Sequence, residues 1–336
     1  MAGHSRSKNG VASLAYVPAI HVSLAEIQEN VDARHKAGHD ESAFLSPSLL
    51  AIRYSPSASG YAIRWPPFGR TKGHGDMDLG LTGKVALVTG SSRGIGRGIA
   101  LTLATEGCDV MLTGRDEAAL RGVVAAVEKL GRKARFETID LRKDEAPAAL
   151  VGAVQHGFGR LDILVNNAGT TKRGDFLELT DADWQDGYAL KFFAHVRLAR
   201  AAWPLLQSNG GSIVTIGGTS GRVPTAGFTI GASVNAACAA FSKALADRGK
   251  SDGVQVNTIH PSYVETERLW RRIKADMERT GKDETAVREW HRNDIGVTRF
   301  GTPEDIAGLI AFMCSSRGRW LHGATIDMDG GEVKAF

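Results

Sequence analysis

The stretch "VTGSSRGIGRGIA", residues 88–100, is the part of the chain best equipped for chemistry. Gly90, Gly94 and Gly96 allow a turn free of Cβ obstruction. Backbone N–H groups can then approach a pyrophosphate whose charge rests at a helix N-terminus. A glycine triplet alone is weak evidence, and its meaning depends on the elements around it. Other reactive types are scattered. Cys108, Cys238 and Cys314 stand singly in apolar or small-residue runs and form no CxxC pair, so they read as buried thiols and offer no metal site.

The elements that must position this turn are legible from residue 84 onward, where short β-branched runs alternate with helical patterns, the mark of βαβ units on a parallel sheet. Strands are predicted at 84–89, 109–113, 134–139, 161–165, 212–217, 254–259 and 324–328. Helices are predicted near 95–106, 116–130, 144–157, 181–208, 230–250 and 303–314, each long enough to cross over the sheet and cover one face. The expected fold is a single doubly wound α/β domain over 79–336, with a seven-stranded parallel sheet and helices on both faces. In this topology the loops at the carboxyl ends of the strands build the site, so the longer segment 262–300 is the natural substrate lid.

Composition agrees with one large domain plus an appendage: 336 residues, 43% hydrophobic and 23% charged, with 40 glycines. The 41 basic and 37 acidic residues are spread without a basic run, which argues against nucleic acid as the main partner. No stretch reaches about 18 consecutive apolar residues, so no membrane span is expected, and the isolated thiols fit a reducing cytoplasm. Residues 1–78 carry breakers such as "SPSASG" and "WPP" and little periodicity beyond one capping box, Ser23 to Glu26. They read as an irregular N-terminal extension, flexible or a mis-called start, with Met77 as the expected beginning of the ordered pattern.

Three further stretches follow the glycine turn in order. "IDLR" (139–142) supplies Asp140 and Leu141, "NNAG" (166–169) follows the fourth strand, and "HPSYVET" (260–266) follows the sixth. With "TGSSRGIG" (89–96), "RFGTPEDIAGLIAFMCSS" and "GATIDMDGG", they make residues 79–331 resemble the short-chain dehydrogenase/reductase family. The resemblance implies a Rossmann-type fold and a nicotinamide nucleotide as cofactor. It implies cofactor contacts at Gly90, Ser92, Arg93, Gly94, Ile95, Gly96, Arg115, Asp140, Leu141, Asn167, Ala168, Gly169, Asn235, Pro261, Val264 and Thr266. Ser262 stands where the family usually has glycine. Gly114 occupies the place of the acidic residue that would accept from a free ribose 2′-hydroxyl. Arg115 and Arg93 could instead flank a 2′-phosphate, so NADP(H) is preferred over NAD(H).

The catalytic pattern departs from the family. There a tyrosine moves the hydroxyl proton while hydride passes to or from nicotinamide, and a lysine four residues on lowers the tyrosine's pKa. A serine polarises the carbonyl, and an asparagine on the preceding helix shapes a proton relay. By spacing, the serine, tyrosine, lysine and asparagine slots fall on Gly218, Gly231, Asn235 and Lys191. No tyrosine in the chain has a lysine four residues later. Lys191 and Asn235 read as a reciprocal exchange across two neighbouring helices, with Lys191 serving the region of position 235 and Asn235 bonding a ribose hydroxyl. Tyr188, His195 and Tyr263 are the candidates to protonate an alkoxide, each more readily structural, and Thr219 could donate a hydrogen bond from the serine's neighbourhood.

Three functions follow from this pattern. The first is an NADP(H)-dependent oxidoreductase acting on an alcohol or carbonyl substrate with a non-standard proton donor. The second is a catalytically silent nucleotide-binding homologue acting as a subunit or regulator, and the third a non-redox lyase or isomerase. The expected partners are a small-molecule substrate and further copies of the chain in a homodimer or homotetramer, or an active homologue in a hetero-oligomer, paired through the 181–208 and 230–250 helices. In the lid, Trp270, Arg271, Arg272, Trp290 and His291 could greet an acidic or acyl-carrier substrate, although a charged amphipathic helix is their ordinary explanation.

Overall fold

The computed structural model describes residues 78–334. The Ser23 capping box and the rest of the N-terminal segment lie outside the described residues. Seven strands form one sheet: β1 (Val85–Thr89), β2 (Asp109–Gly114), β3 (Ala134–Thr138), β4 (Ile163–Asn166), β5 (Ser212–Ile216), β6 (Gln255–Pro261) and β7 (Thr325–Met328). Their spatial order is β3-β2-β1-β4-β5-β6-β7, and every neighbouring pair is parallel. The order reverses between β1 and β4. A crevice opens at the carboxyl ends of the strands beside that switch point.

The central strands β1, β4, β5 and β6 hold because both of their faces are buried. Along β1, Ala86 and Val88 join one apolar cluster, with Ile99, Leu103, Leu120 and Ile310, while Val85 and Leu87 join the other, with Leu150, Leu198 and Leu206. Each such fully buried aliphatic side chain contributes about 1.5–3 kcal/mol relative to exposure, which is why the strands read as continuous β-branched runs. Around the sheet lie α1 (Gly94–Thr105), α2 (Glu117–Lys129), α3 (Ala146–Phe158), α4 (Asp181–Tyr188), α5 (Ala194–Asn209), α6 (Thr229–Asp252), α7 (Glu267–Thr280), α8 (Glu284–Ile295) and α9 (Pro303–Cys314).

Two segments differ from expectation. The single helix over 181–208 is divided: α4 and α5 are joined by a π-helical turn, Ala189–Phe193, with Lys191 at its centre. Such a turn inserts a residue into the helical ladder, and the Cys238 thiol donates to the Lys191 carbonyl at 3.2 Å. The segment 262–300 folds as two capped helices. Thr266 and Asp283 accept at the N-caps, and Gly281 and Gly296, both at φ 70°, end them. Leu269, Ile273, Val287 and Phe300 give this pair its own small core.

Candidate active site

β1 ends at Thr89, and the chain turns through Gly90 (φ 64°) to enter α1 at Gly94 (φ 55°), both in the left-handed region where glycine is favoured. A Cβ at Gly90 would come within 3.0 Å of the Ala168 Cα, and one at Gly96 would overlap the Gly90 carbonyl. α1 has neither a side-chain cap nor an acid in its first turn, so its first N–H groups face the crevice without a side-chain acceptor. Asn167 staples the turn from behind, its Nδ2 donating to the carbonyls of Thr89 (2.8 Å) and Gly90 (3.2 Å). The Thr89 hydroxyl accepts from the N–H groups of Asn167 and Ala168, both at 2.9 Å. The amide of Asn167 is thus spent on the loop and acts on a ligand through it.

The residues expected to hold a nucleotide all line one cavity of about 1370 Å³, from Gly90 at one end to Thr266 at the other, together with Lys191, Thr219 and Tyr263. Arg115 has no carboxylate within 4 Å among the described residues, whereas Arg93 lies 3.5 Å from Glu267. Tyr188 and His195 do not line the cavity. His195 is buried and donates from Nε2 to the Ala168 carbonyl at 2.9 Å, and burial pulls its pKa down to about 4. Tyr188 packs edge-on against Phe192 at 6.0 Å. Both are structural. In the lid, Arg271, Arg272 and Trp290 line the cavity, while Trp270 does not and His291 is buried against Asp276 at 2.9 Å.

Of the four positions expected at the catalytic end, Lys191, Gly218 and Asn235 line the cavity and Gly231 does not. Lys191 lays its stem on Gly169, where a Cβ would sit 2.8 Å from Lys191 Cγ and Cδ, and its Nζ donates to the Gly217 carbonyl at 3.1 Å. Burial lowers this ammonium from 10.5 to about 8. Asn235 fills the serine slot from across the turn, since a Cβ at Gly218 would meet its Nδ2 at 2.8 Å. That Nδ2 donates to Ser220 Oγ at 2.8 Å, and the Oδ1 is buried without a partner. Lys191 and Asn235 therefore meet at one backbone turn, residues 217–220.

Gly231, where the tyrosine was expected, lies under another ring. A Cβ at Gly231 would overlap Phe228, and the Arg173 guanidinium lies 3.7 Å above that ring. Tyr263 reaches the cavity from the other side, stacked on Phe300 at 6.0 Å, and burial raises its phenol above the ordinary value. His260, at the end of β6, accepts the Gly218 N–H on Nδ1 at 2.9 Å, so the neutral ring carries its proton on Nε2, a buried atom without a partner. Burial, with Lys191 adding to it, holds His260 down at about 4.

Sequence reasoning missed Phe228, Arg173, Arg268 and His260. Phe228 precedes Gly231 by three residues at a helix start, and His260 is a polar residue at the end of a wholly buried strand. These were the signals available.

A family model described as Enoyl-(Acyl carrier protein) reductase matches residues 90–332. A 3-oxoacyl-[acyl-carrier-protein] reductase of Vibrio cholerae is 32% identical over 254 residues, covering 75% of this chain and 98% of the relative. The chain belongs to the short-chain dehydrogenase/reductase family. An uncharacterized oxidoreductase of Mycobacterium tuberculosis is 34% identical over 253 residues, 75% of this chain and 92% of that one. The crystal structure of L-sorbose reductase from Gluconobacter frateurii, complexed with NADPH and L-sorbose, superposes with a TM-score of 0.75 at 33% identity, covering 77% of this chain and all of that one. This short-chain dehydrogenase/reductase therefore carries a glycine turn at the head of α1 on a seven-stranded parallel sheet. Among the described residues no helix is long and apolar enough to cross a membrane, and no cluster of His, Cys, Asp and Glu could hold a metal.

Proposed function

We propose that the protein is an NADP(H)-dependent oxidoreductase of an alcohol or carbonyl substrate in which Lys191 is the proton donor. The observation that carries this reading is the Lys191 ammonium itself: it lines the cavity beside residues 217–220, and burial brings it to about 8. A general acid works best with a pKa near the operating pH. Lys191 meets that condition, whereas burial takes the Tyr263 phenol further from it. One Lys191 proton is held by the Gly217 carbonyl, which fixes the ammonium and leaves two others to donate.

The residues fit a nicotinamide nucleotide. The bare N-terminus of α1 and the Cβ-free turn suit a pyrophosphate, and Arg93 and Arg115 suit a 2′-phosphate. Asp140 and Leu141 would bracket the adenine. Pro261, Val264 and Thr266 would meet the carboxamide, and the orphaned Asn235 Oδ1 would accept from a ribose hydroxyl. When bound, the nicotinamide supplies or accepts the hydride. Lys191 then protonates or deprotonates the substrate oxygen, with Thr219 as a second hydrogen-bond donor at the same turn.

The test is NADPH oxidation over a panel of ketones and aldehydes between pH 6 and 10. Reduction is expected to fall above about pH 8 as Lys191 loses its proton. Lys191→Met abolishes turnover with NADPH affinity kept, and Lys191→Arg moves the limb upward. Saturable NADPH binding with no turnover of any carbonyl would overturn the assignment and favour the silent nucleotide-binding subunit.

A further inference from the structure

Resting on the oxidoreductase reading, we propose that the substrate carries an oxyanion, a carboxylate or phosphate remote from the reacting carbon, held by Arg173, Arg268, Arg271 and Arg272. All four arginines line the cavity, three from α7 and one from the loop after β4. On α7, positions 268, 271 and 272 are spaced i, i+3 and i+4, so they share one face. That face looks into the cavity, while Ile273 turns away into the lid core and Leu269 stands between the two, buried in the lid core and bordering the cavity. Arg173 faces them, stacked on Phe228 at 3.7 Å, and Arg272 lies 4.7 Å above the Tyr263 ring.

An ordinary charged amphipathic helix pairs its cations with its own acids, as this lid does elsewhere. Arg279 lies 2.7 Å from Asp276, and Arg288 lies 3.5 Å from Glu284. The four cavity arginines have no carboxylate within 4 Å among the described residues. The carboxylates lining the same cavity are committed. Glu267 pairs with Arg93, Asp276 with Arg279 and His291, Asp140 with Arg142, and Asp116 caps α2. Like charges at i, i+4 on a helix are unfavourable, and Arg268 and Arg272 stand in that relation. The mutual field is felt: after burial, Arg272 and Arg268 are what lower the Arg173 guanidinium below its ordinary value.

A ligand oxyanion offers these groups what the protein withholds, acceptors in the planar, forked geometry that guanidinium matches. The anion would sit at the lid end, with Lys191 and Thr219 left for the reacting oxygen. Carboxylate and phosphate satisfy the same donors, so the chemistry is shared and the source is decided by measurement.

The experiment is a calorimetric titration of the full chain saturated with NADP⁺, using matched pairs: 4-oxopentanoate against 2-pentanone, and dihydroxyacetone phosphate against dihydroxyacetone. The anionic member of at least one pair is expected to bind roughly tenfold or more tightly than its neutral partner, and which pair separates names the source. The Arg268→Ala/Arg272→Ala double variant brings the two members to within about twofold. Arg173→Gln, on the opposite wall, does the same without touching α7, which guards against a misfolded lid. Equal binding of both members in both pairs, or no binding of either anion, overturns the proposal. Anion binding together with no turnover of any carbonyl in the panel between pH 6 and 10 leaves it standing and refutes the oxidoreductase reading instead, so the two failures are distinguishable.

Discussion

Replacing Lys191 with methionine should make the protein more stable at neutral pH while abolishing its chemistry. The drop of the ammonium from 10.5 to about 8 corresponds to a native-state penalty of about 3 kcal/mol for holding the charge in its buried place. The folded pKa lies below the unfolded one, so both states are protonated below pH 8 and the penalty is fully present there. Between about 8 and 10.5 the native state releases the proton while the unfolded chain keeps it, and the penalty is progressively relieved. Against this stands the Gly217 carbonyl, which loses its donor at a cost of about 1–2 kcal/mol. The net gain expected for Lys191→Met at pH 7 is thus about 1–2 kcal/mol, or roughly 3–6 °C in Tm for a domain of this size. Urea unfolding of nucleotide-free wild type and variant at pH 7, 8, 9 and 10 reads both parts. The difference between them should swing by about 3 kcal/mol toward wild type as pH rises, and the other titrating groups cancel in the comparison. A variant less stable at pH 7, with a difference flat across the range, refutes the idea that this ammonium is held at a cost for function.

Two other predictions concern the nucleotide and the tyrosine slot. Arg115→Glu should weaken NADPH by about 10- to 100-fold, the worth of a charge-assisted hydrogen bond, and improve NADH; fluorescence titrations showing an unchanged ratio remove Arg115 from 2′-phosphate recognition. Gly231→Ala should destabilise by about 1–2 kcal/mol because its methyl overlaps Phe228, yet stabilise by up to about 1 kcal/mol in a Phe228→Ala background, where only the helix propensity gain remains. Equal effects in the two backgrounds break the claim that Phe228 fills that volume.

The sheet was legible because its central strands are buried on both faces and its turn residues are confined to strand ends; the observed strands lie within about two residues of the predicted ones. The glycine turn was legible for the same reason, since Gly90 and Gly96 sit where no Cβ fits. The division of the 181–208 helix was not, because one extra residue in a ladder barely disturbs a pattern of apolar spacing. Nor was the occupant of the tyrosine slot, which depends on a ring reaching from Phe228 past the first turn of α6 to Gly231. The arginine face of α7 could not be told from a solvated one until Glu267 and Asp276 were seen to have other partners.

The departures at the catalytic end form a coupled set. Phe228 packs over Gly231, Asn235 over Gly218, and Lys191 lies along Gly169. A Cβ at 218 would press on the amide of Asn235 and one at 231 on the Phe228 ring, so a larger side chain at either position requires its neighbour to shift. The Lys191 ammonium is fixed by one carbonyl and lowered toward neutrality by burial. A side chain retained only for packing has no need of a buried charge, which is the physical reason to look for a proton transfer at Lys191 rather than for a vestige.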